Sequence, residues 1–512
     1  MSTMANSEAP ASDALVKSEH TPAPKPYASR TPLHELQQAF LDMRLTMFIH
    51  YNMATYQDLE WGSDRGPVDI FNPTHLDTDQ WARAALSAGM KGAFLTTKHH
   101  DGFCIWNTNT GTPSLRDTPC KRDVVGEYAA SFRKHGLKVG LYYSILDKRN
   151  DIRHFNVTPE KIQLVKDHLT ELLTNYGDIN MIIFDGWCAP WSRIPYTEFP
   201  FDEIYRHVKS LQPDCLVTDL NASHYPPAGL FYGDIKAFEQ NAGQILPSES
   251  YLPAFSCVTL TDGWFFKTRD YYAEPKSTYQ VVHDWLLPQN ARHCTLIVNA
   301  APARDGRLAP NLIERLAEIG RAWHHPGPAP LLEGYMAPVT TNNLAQGCHI
   351  RCSGHDDTGG PDLANNGEVH STWYTPSGDK EGWLEVKFPR PTAFNRVLFA
   401  EPVRRYADYP VSRVGAYRFV AFVPKAHGDG HGEKGGHKED GVWLTLVDGA
   451  RPERDTQDHW LDARIVATKI RFEFAVVHDT AHINEIAVYD EPVREKGWDG
   501  KTEESDSEWV KA

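Results

Sequence analysis

The chain has 512 residues, 41% of them hydrophobic, and a formal net charge of −15. That length exceeds a single core, and about two to four domains are usual for it. The acidic balance argues against nucleic acid or an anionic membrane surface as a partner, and otherwise speaks to solubility.

The eight cysteines form no CxxC pair and no zinc-ligand spacing. Cys348 and Cys352 are the closest pair; a local disulfide or two free thiols would both suit their spacing. No run of 18 apolar residues is present, so no membrane-spanning helix is expected. Residues 1–30 are rich in Ala, Ser and Pro and lack the apolar stretch of a secretory leader. They read as a disordered tail. A cytoplasmic location is expected, or a secreted one if a leader precedes this sequence.

From 31 to 328, short apolar runs alternate with helical periodicity. Gly92 to Thr97 reads as a buried strand. Asp123 to His135 reads as a helix stopped at Gly136. Val139 to Ser144 is the next strand. Thr158-Pro159 supplies an N-cap and a first-turn proline. Ile162, Val165, Leu169, Leu172 and Leu173 share one helical face, closed by Gly177. Ile179 to Phe184, a helix over Phe201–Leu211 and a strand over Cys215–Thr218 follow. This alternation makes βαβ units, and the length suits an α/β fold of the (β/α)8-barrel type. An open doubly wound sheet is the alternative. No GxGxxG or GxxxxGK[ST] follows a strand, which weakens a nucleotide reading.

From 335 to 492 the texture changes to period-2 runs: Gly382–Phe388, Arg396–Ala400, Tyr417–Val423, Val442–Leu446 and Thr468–Phe474. Turn residues separate them, which is the pattern of a β-sandwich. Ala426 to Gly441, with three histidines, reads as a solvated loop. Residues 493–512 read as an acidic tail.

Functional residues of a parallel barrel sit at the C-terminal ends of its strands. Three such ends are polar or aromatic here: Lys98-His99-His100-Asp101, Tyr142-Tyr143-Ser144 and Asp185-Gly186-Trp187. A carboxylate directly after four apolar residues is costly unless paired or used. His99-His100 invites a metal. Neighbours on an extended strand point to opposite faces, though, and HxH and HExxH are absent, so no metal and no cofactor are expected. Hydrogen bonds from the two histidines to sugar hydroxyls fit better. Sugar hydrolysis with retention needs one ionised and one protonated carboxyl, roughly 5–5.5 Å apart. Asp185 is the ionised candidate. Trp187, Trp264, Phe265 and Phe266 are aromatic candidates for packing on apolar sugar faces.

Taken together, these runs resemble the α-L-fucosidases of glycoside hydrolase family 29. Phe48-Ile-His-Tyr resembles the FIHW motif and implies a fucose-binding His50, with Tyr51 in place of Trp. Leu59-Glu-Trp61 resembles the segment whose Trp lines the pocket. Thr96-Thr-Lys-His-His-Asp-Gly-Phe-Cys-Ile-Trp106 matches TTKHHDGFxxW and implies hydroxyl contacts from His99 and His100. Gly140-Leu-Tyr-Tyr-Ser carries a sugar-contacting Tyr onto Tyr142. Phe184-Asp-Gly matches the nucleophile strand, and Leu296 to Gly306 resembles the segment near the barrel's end. Gly233-Asp-Ile-Lys-Ala-Phe-Glu239 resembles the segment of one subgroup that carries the acid/base. Phe255 stands where other members place a Glu, which leaves Glu239 first and Glu249 second. Leu220 stands where some members carry an Arg.

The resemblance implies a retaining α-L-fucosidase with nucleophile Asp185 and acid/base Glu239. It implies substrate contacts at His50, Trp61, His99, His100, Tyr142, Trp187, Trp264 and Phe266. The expected partner is a fucosylated oligosaccharide or glycoconjugate; a homo-oligomer is left open. His370-Ser-Thr-Trp-Tyr and Gly382-Trp-Leu-Glu-Val-Lys-Phe resemble a discoidin-like, galactose-binding β-sandwich. Three competitors remain. They are a retaining glycosidase for another sugar, a carbohydrate-binding protein without turnover, and a barrel metallohydrolase using His99, His100 and Asp101.

Overall fold

This computed structural model describes residues 31–187, 189, 191–220, 233–246, 250, 252–332, 339–367, 371–402, 412–425, 440–452 and 456–491. Both terminal tails, Glu249, His370 and the histidine-bearing stretch 426–439 lie outside them. The described chain divides into two compact units between Asn342 and Asn343.

The first unit is built on eight parallel strands: β1 (Leu45–Ile49), β2 (Gly92–Lys98), β3 (Lys138–Ser144), β4 (Met181–Asp185), β5 (Leu216–Asp219), β6 (Lys236–Glu239), β7 (Ala254–Thr259) and β8 (Cys294–Asn299). Their order is β5-β4-β3-β2-β1-β8-β7-β6. Apart from Lys138 at the start of β3, every residue of these strands is buried. Such strands need cover on both faces, as parallel strands in a barrel have. Phe48, Phe94, Tyr142, Ile183, Leu216, Ala237, Phe255 and Ile297 come from the eight successive strands and pack in one interior cluster. A Cβ at Gly140 would lie 2.2 Å from Phe94, so this glycine makes room for a large interior ring.

Helices cover the outside. α1 (Leu33–Leu41) precedes β1, and its Phe40 and Leu41 join the interior cluster. α2 (Met53–Gln57) and α3 (Thr78–Ser87) lie between β1 and β2. α4 (Val124–Lys134) starts where the Asp123 side chain accepts from Gly126 N and ends before Gly136, which has φ +72°. α5 (Pro159–Asn175) starts on Thr158 and stops before Gly177, with φ +70°. α6 (Phe201–Leu211) follows β4. α7 (Leu287–Asn290) continues a π-helical turn, and α8 (Pro310–Ala322) follows β8. The limits of α4, α5 and α6 match those read from the sequence to within two residues. No helix among the described residues is long and apolar enough to cross a membrane.

The gap between β5 and β6 is bridged by backbone and side-chain bonds of the residues just before β6. Asp234, just before β6, is the hub. Its N–H donates to Val217 O (2.6 Å), and its carboxylate accepts from Val217 N (2.9 Å) and the Tyr205 hydroxyl (2.6 Å). Lys209 Nζ of α6 lies 2.8 Å from the same carboxylate, with both side chains almost fully buried.

The second unit is antiparallel. Its strands are β9 (His349–Cys352), β10 (Trp373–Tyr374), β11 (Glu381–Ala400), β12 (Val414–Pro424), β13 (Gly441–Gly449), β14 (Thr456–Val476), β15 (His482–Ile483) and β16 (Glu485–Tyr489). The large sheet runs β13-β12-β14-β11-β16, with β9 also on β11; β10 pairs with β15. Phe399, Phe419, Phe472 and Phe474 form the centre of its core, and Trp373 from the small sheet meets Phe474 edge-on. Gly382–Phe388 and Arg396–Ala400, read above as two strands, are one strand with register shifts. Cys348 and Cys352 are free thiols.

Replacing one member of a buried ion pair strands the other charge and costs about 3–5 kcal/mol. Asp234→Ala is therefore expected to destabilise the barrel by about that amount, read from chemical denaturation followed by tryptophan fluorescence. A loss under about 1 kcal/mol would show that the seam does not rest on this carboxylate.

Candidate active site

The C-terminal ends of the barrel strands open into a cavity of about 430 Å³. Its walls include Phe48 within β1 and His50 just after it, Glu60 and Trp61 in the next loop, and His99 and His100 after β2. Tyr142, Asp185 and Leu220 follow from β3, β4 and β5, and Glu239 closes β6. Asn241, Asp262, Trp264, Lys267 and Trp191 complete the rim. Seven residues chosen from the sequence thus share one cavity with the nucleophile candidate: His50, Trp61, His99, His100, Tyr142, Glu239 and Trp264.

Two choices fall elsewhere. Trp187 is fully buried, donates from Nε1 to Phe199 O at 2.8 Å and packs among Phe184, Phe199 and Phe201. It belongs to the core behind β4. Phe266 is also buried, in a small cluster with Ala301, Ala303 and Ala309. Its neighbour Phe265 points the other way, edge-on to His50 (5.2 Å) and His99 (4.9 Å). Phe265 thus braces the histidines from behind.

Asp185 is the last residue of β4 and is 4% exposed. Tyr142 donates its hydroxyl to Asp185 Oδ2 at 2.6 Å. Burial and the adjacent Asp185 charge push the Tyr142 phenol well above its ordinary range, so it stays a donor. The resemblance gives Tyr142 to the sugar; the structure gives its hydroxyl to the carboxylate.

Glu239 ends β6 and is 8% exposed. Burial, then repulsion by Asp185, raises its carboxyl to about 8, opposed by a hydrogen bond from the Trp264 side chain. Glu239 therefore keeps its proton at neutral pH. Glu249, the second candidate, lies outside the described residues.

The histidines are neutral. Burial lowers His50 to about 3 and His100 to about 4, and takes His99 well below its ordinary value. Their tautomers follow from their partners. Asn299 donates Nδ2 to Trp264 O, so its Oδ1 accepts from His50 Nδ1 at 2.8 Å. Ser144 gives its proton to Leu146 O, so it accepts from His100 Nδ1 at 2.7 Å. Each ring is left with an Nε2 lone pair, and that of His100 lies 3.6 Å from Asp185 Oδ2. The sequence reading made His99 and His100 donors; for His100, the geometry makes Nε2 an acceptor of substrate hydroxyls.

The two adjacent rings also stand side by side, with centroids 4.1 Å apart. The strand ends at Lys98, and Gly102 N turns back to His99 O at 3.0 Å, with φ +91° at Gly102. Alternation of faces therefore stops before His99. One ligand atom from each of His99, His100 and Asp185 falls within 4.8 Å of the others. Tetrahedral zinc would want them about 3.4 Å apart. Asp101, which the metallohydrolase reading pairs with the histidines, is not in that group. Its Oδ1 accepts from Phe103 N at 2.9 Å.

Five lining residues escaped the sequence reading: Trp191, Asn241, Ala242, Asp262 and Lys267. Trp191 stands four residues after Trp187, and nothing in the sequence separates the lining ring from the core ring. Glu60, inside a motif already noted, accepts from Trp264 N (2.7 Å) and Lys267 Nζ (2.5 Å) and so fixes the aromatic wall.

The Alpha-L-fucosidase family model matches residues 53–326, more than half of the chain. α-L-Fucosidase 1 of Arabidopsis thaliana is 26% identical over 387 residues, covering 70% of this chain and 72% of that one. Tissue α-L-fucosidase of Rattus norvegicus is 32% identical over 269 residues, covering 49% of this chain and 54% of that one. A solved glycoside hydrolase 29 family member from an unknown rumen bacterium is 25% identical. It covers 92% of this chain and 80% of that one, with a TM-score of 0.48.

Infrared difference titration should show one carboxylic acid that keeps its proton to about pH 8, absent in Glu239→Gln. Asp185→Asn should shift that titration downward but leave it above the ordinary range, because burial outranks the charge. No movement in Asp185→Asn would show that the two groups are uncoupled.

Proposed function

The chain belongs to the α-L-fucosidase family of glycoside hydrolases, and we propose that it releases terminal α-L-fucose from fucosylated glycans by double displacement. One observation carries the assignment of roles. Two buried carboxyls face one cavity, one beside a hydroxyl donor and the other protonated at neutral pH.

In the first step a carboxylate oxygen of Asp185 bonds to C1 as the C1–O bond to the leaving group breaks. Glu239 gives its proton to the departing oxygen. In the second step water attacks C1, its proton passes to Glu239, and the Asp185 carboxylate is released. The Tyr142 hydroxyl, 2.6 Å from Asp185 Oδ2, orients the attacking group and steadies its returning charge. His50 and His100 accept hydrogen bonds from ring hydroxyls through Nε2. Trp264 lies 4.8 Å from His50, centroid to centroid, and offers a ring face to the apolar side of fucose. Its N–H also touches Glu239, so the wall that seats the sugar also seats the acid.

Asp185→Ala should stop turnover of 4-nitrophenyl α-L-fucoside, and azide should then yield β-fucosyl azide. Glu239→Ala should lose about 10²–10⁴-fold on substrates with poor leaving groups, and azide should yield the α-azide. In the unaltered enzyme kcat/KM should fall on the alkaline side near pH 8 as Glu239 deprotonates. Near-full activity of Glu239→Ala on an unactivated fucoside would remove it from this role.

A further inference from the structure

Where β2 and β3 end, a buried ion pair takes no part in the two chemical steps. Lys98 Nζ stands 3.1 Å from Asp147 Oδ2, and both side chains are almost wholly removed from solvent. The lysine also donates to Ser144 O at 2.7 Å and lies over the Tyr143 ring, 4.6 Å from its centroid. Asn150 holds the aspartate in turn, through its backbone N–H at 2.9 Å and its side-chain amide at 2.8 Å. Such a pair adds little stability, because apolar side chains of the same volume often do as well or better. Its surroundings point to another use. Lys98 is the last residue of β2, immediately before His99 and His100, and the register of β2 on β3 shifts between Thr96 and Lys98. Irregularities of this kind re-aim side chains beside sites. A Cβ on Gly102 would lie 2.0 Å from Asp147 Oδ1, so the turn that carries both histidines closes directly onto the aspartate.

The ammonium grips one end of the peptide unit that joins Ser144 to Ile145. At the other end of that unit, Ile145 N donates to Asp185 O at 2.9 Å. The Ser144 hydroxyl accepts from His100 Nδ1 at 2.7 Å. We propose, on the function assigned above, that Lys98 is a positioning residue for the hydrolysis: by clamping the Ser144–Ile145 peptide it sets the ring of His100 and the backbone of Asp185, with Asp147 as the counter-ion that holds the ammonium in place. An apolar residue at position 98 would fill the space but leave Ser144 O without this donor. The peptide is then free to turn, and the hydroxyl is no longer aimed at Nδ1. The ring thereby loses the bond that keeps its proton on Nδ1 and its Nε2 open to a substrate hydroxyl.

The test removes both charges together, so that neither is stranded: Lys98→Met combined with Asp147→Asn. On α-L-fucosyl fluoride kcat/KM should fall by about tenfold or more, while the melting temperature moves little. Nitrogen NMR spectra of isotope-labelled histidine, taken without substrate, should show His100 of the unaltered protein protonated on Nδ1 alone. In the double variant the two tautomers should mix. Adding Ser144→Ala to that variant should cost clearly less than Ser144→Ala costs by itself, because both act on one ring. Unchanged kcat/KM in the folded double variant, or losses that multiply, overturn the clamp. So does an unaltered protein whose His100 carries its proton on Nε2, a result that needs no variant to fold. A protein that gives the expected histidine spectra but hydrolyses no fucoside overturns the fucosidase reading instead.

Discussion

Two buried carboxyl groups that line one cavity cannot both be charged at low cost, and the rest of the site is arranged around that fact. Asp185 and Glu239 are each less than a tenth exposed. Burial penalises an isolated carboxylate heavily, and a second charge nearby adds to the penalty. The asymmetry comes from what surrounds each group. Asp185 has a phenol hydroxyl at 2.6 Å and a strand-end position at the mouth of the barrel. Glu239 has burial, the nearby Asp185 charge and the indole N–H of Trp264. Two carboxyl groups thus have unlike surroundings, as the proposed pairing of nucleophile and proton donor requires.

The same economy holds for the histidines. Burial keeps them neutral, so they add no positive charge that would pull the proton from Glu239. Their tautomers are set from outside the cavity by Asn299 and Ser144. Stability and function share parts here. Asn299 ends β8, Ser144 ends β3, and Glu239 stands five residues after the seam residue Asp234. The buried Lys209–Asp234 pair that closes the barrel therefore also fixes where β6 delivers its acid.

Much of this was legible in the sequence, and the failures have local causes. Barrel strands are buried on both faces, so they read as continuous apolar runs, and their ends announced the site. The helices ended where Gly136 and Gly177 supplied a left-handed turn. His99-His100 misled because the alternation rule holds only within a strand, and the strand had already ended at Lys98. Trp187 and Trp191 are equally plausible from their spacing; only the bond from Trp187 to Phe199 O shows which ring is core. Phe265 and Phe266 differ in the same way. In the second unit, β11 read as two strands because the register shifts between Lys387 and Thr392, across Pro389 and Pro391. Proline lacks the N–H that a ladder needs.

The departures from the family pattern bear on the acid as well. Where the resemblance leads one to expect an arginine, Leu220 lines the cavity. A guanidinium there would favour the charged form of any nearby carboxyl and work against a protonated Glu239. The leucine brings no such charge to the cavity. The lysine at the rim does not supply the missing cation freely, because Lys267 is engaged by Glu60 at 2.5 Å. Glu60 in turn holds the backbone of Trp264, whose indole contacts Glu239. The rim cation therefore acts on the acid by positioning its aromatic neighbour, which leaves Asp185 as the charge that Glu239 feels most.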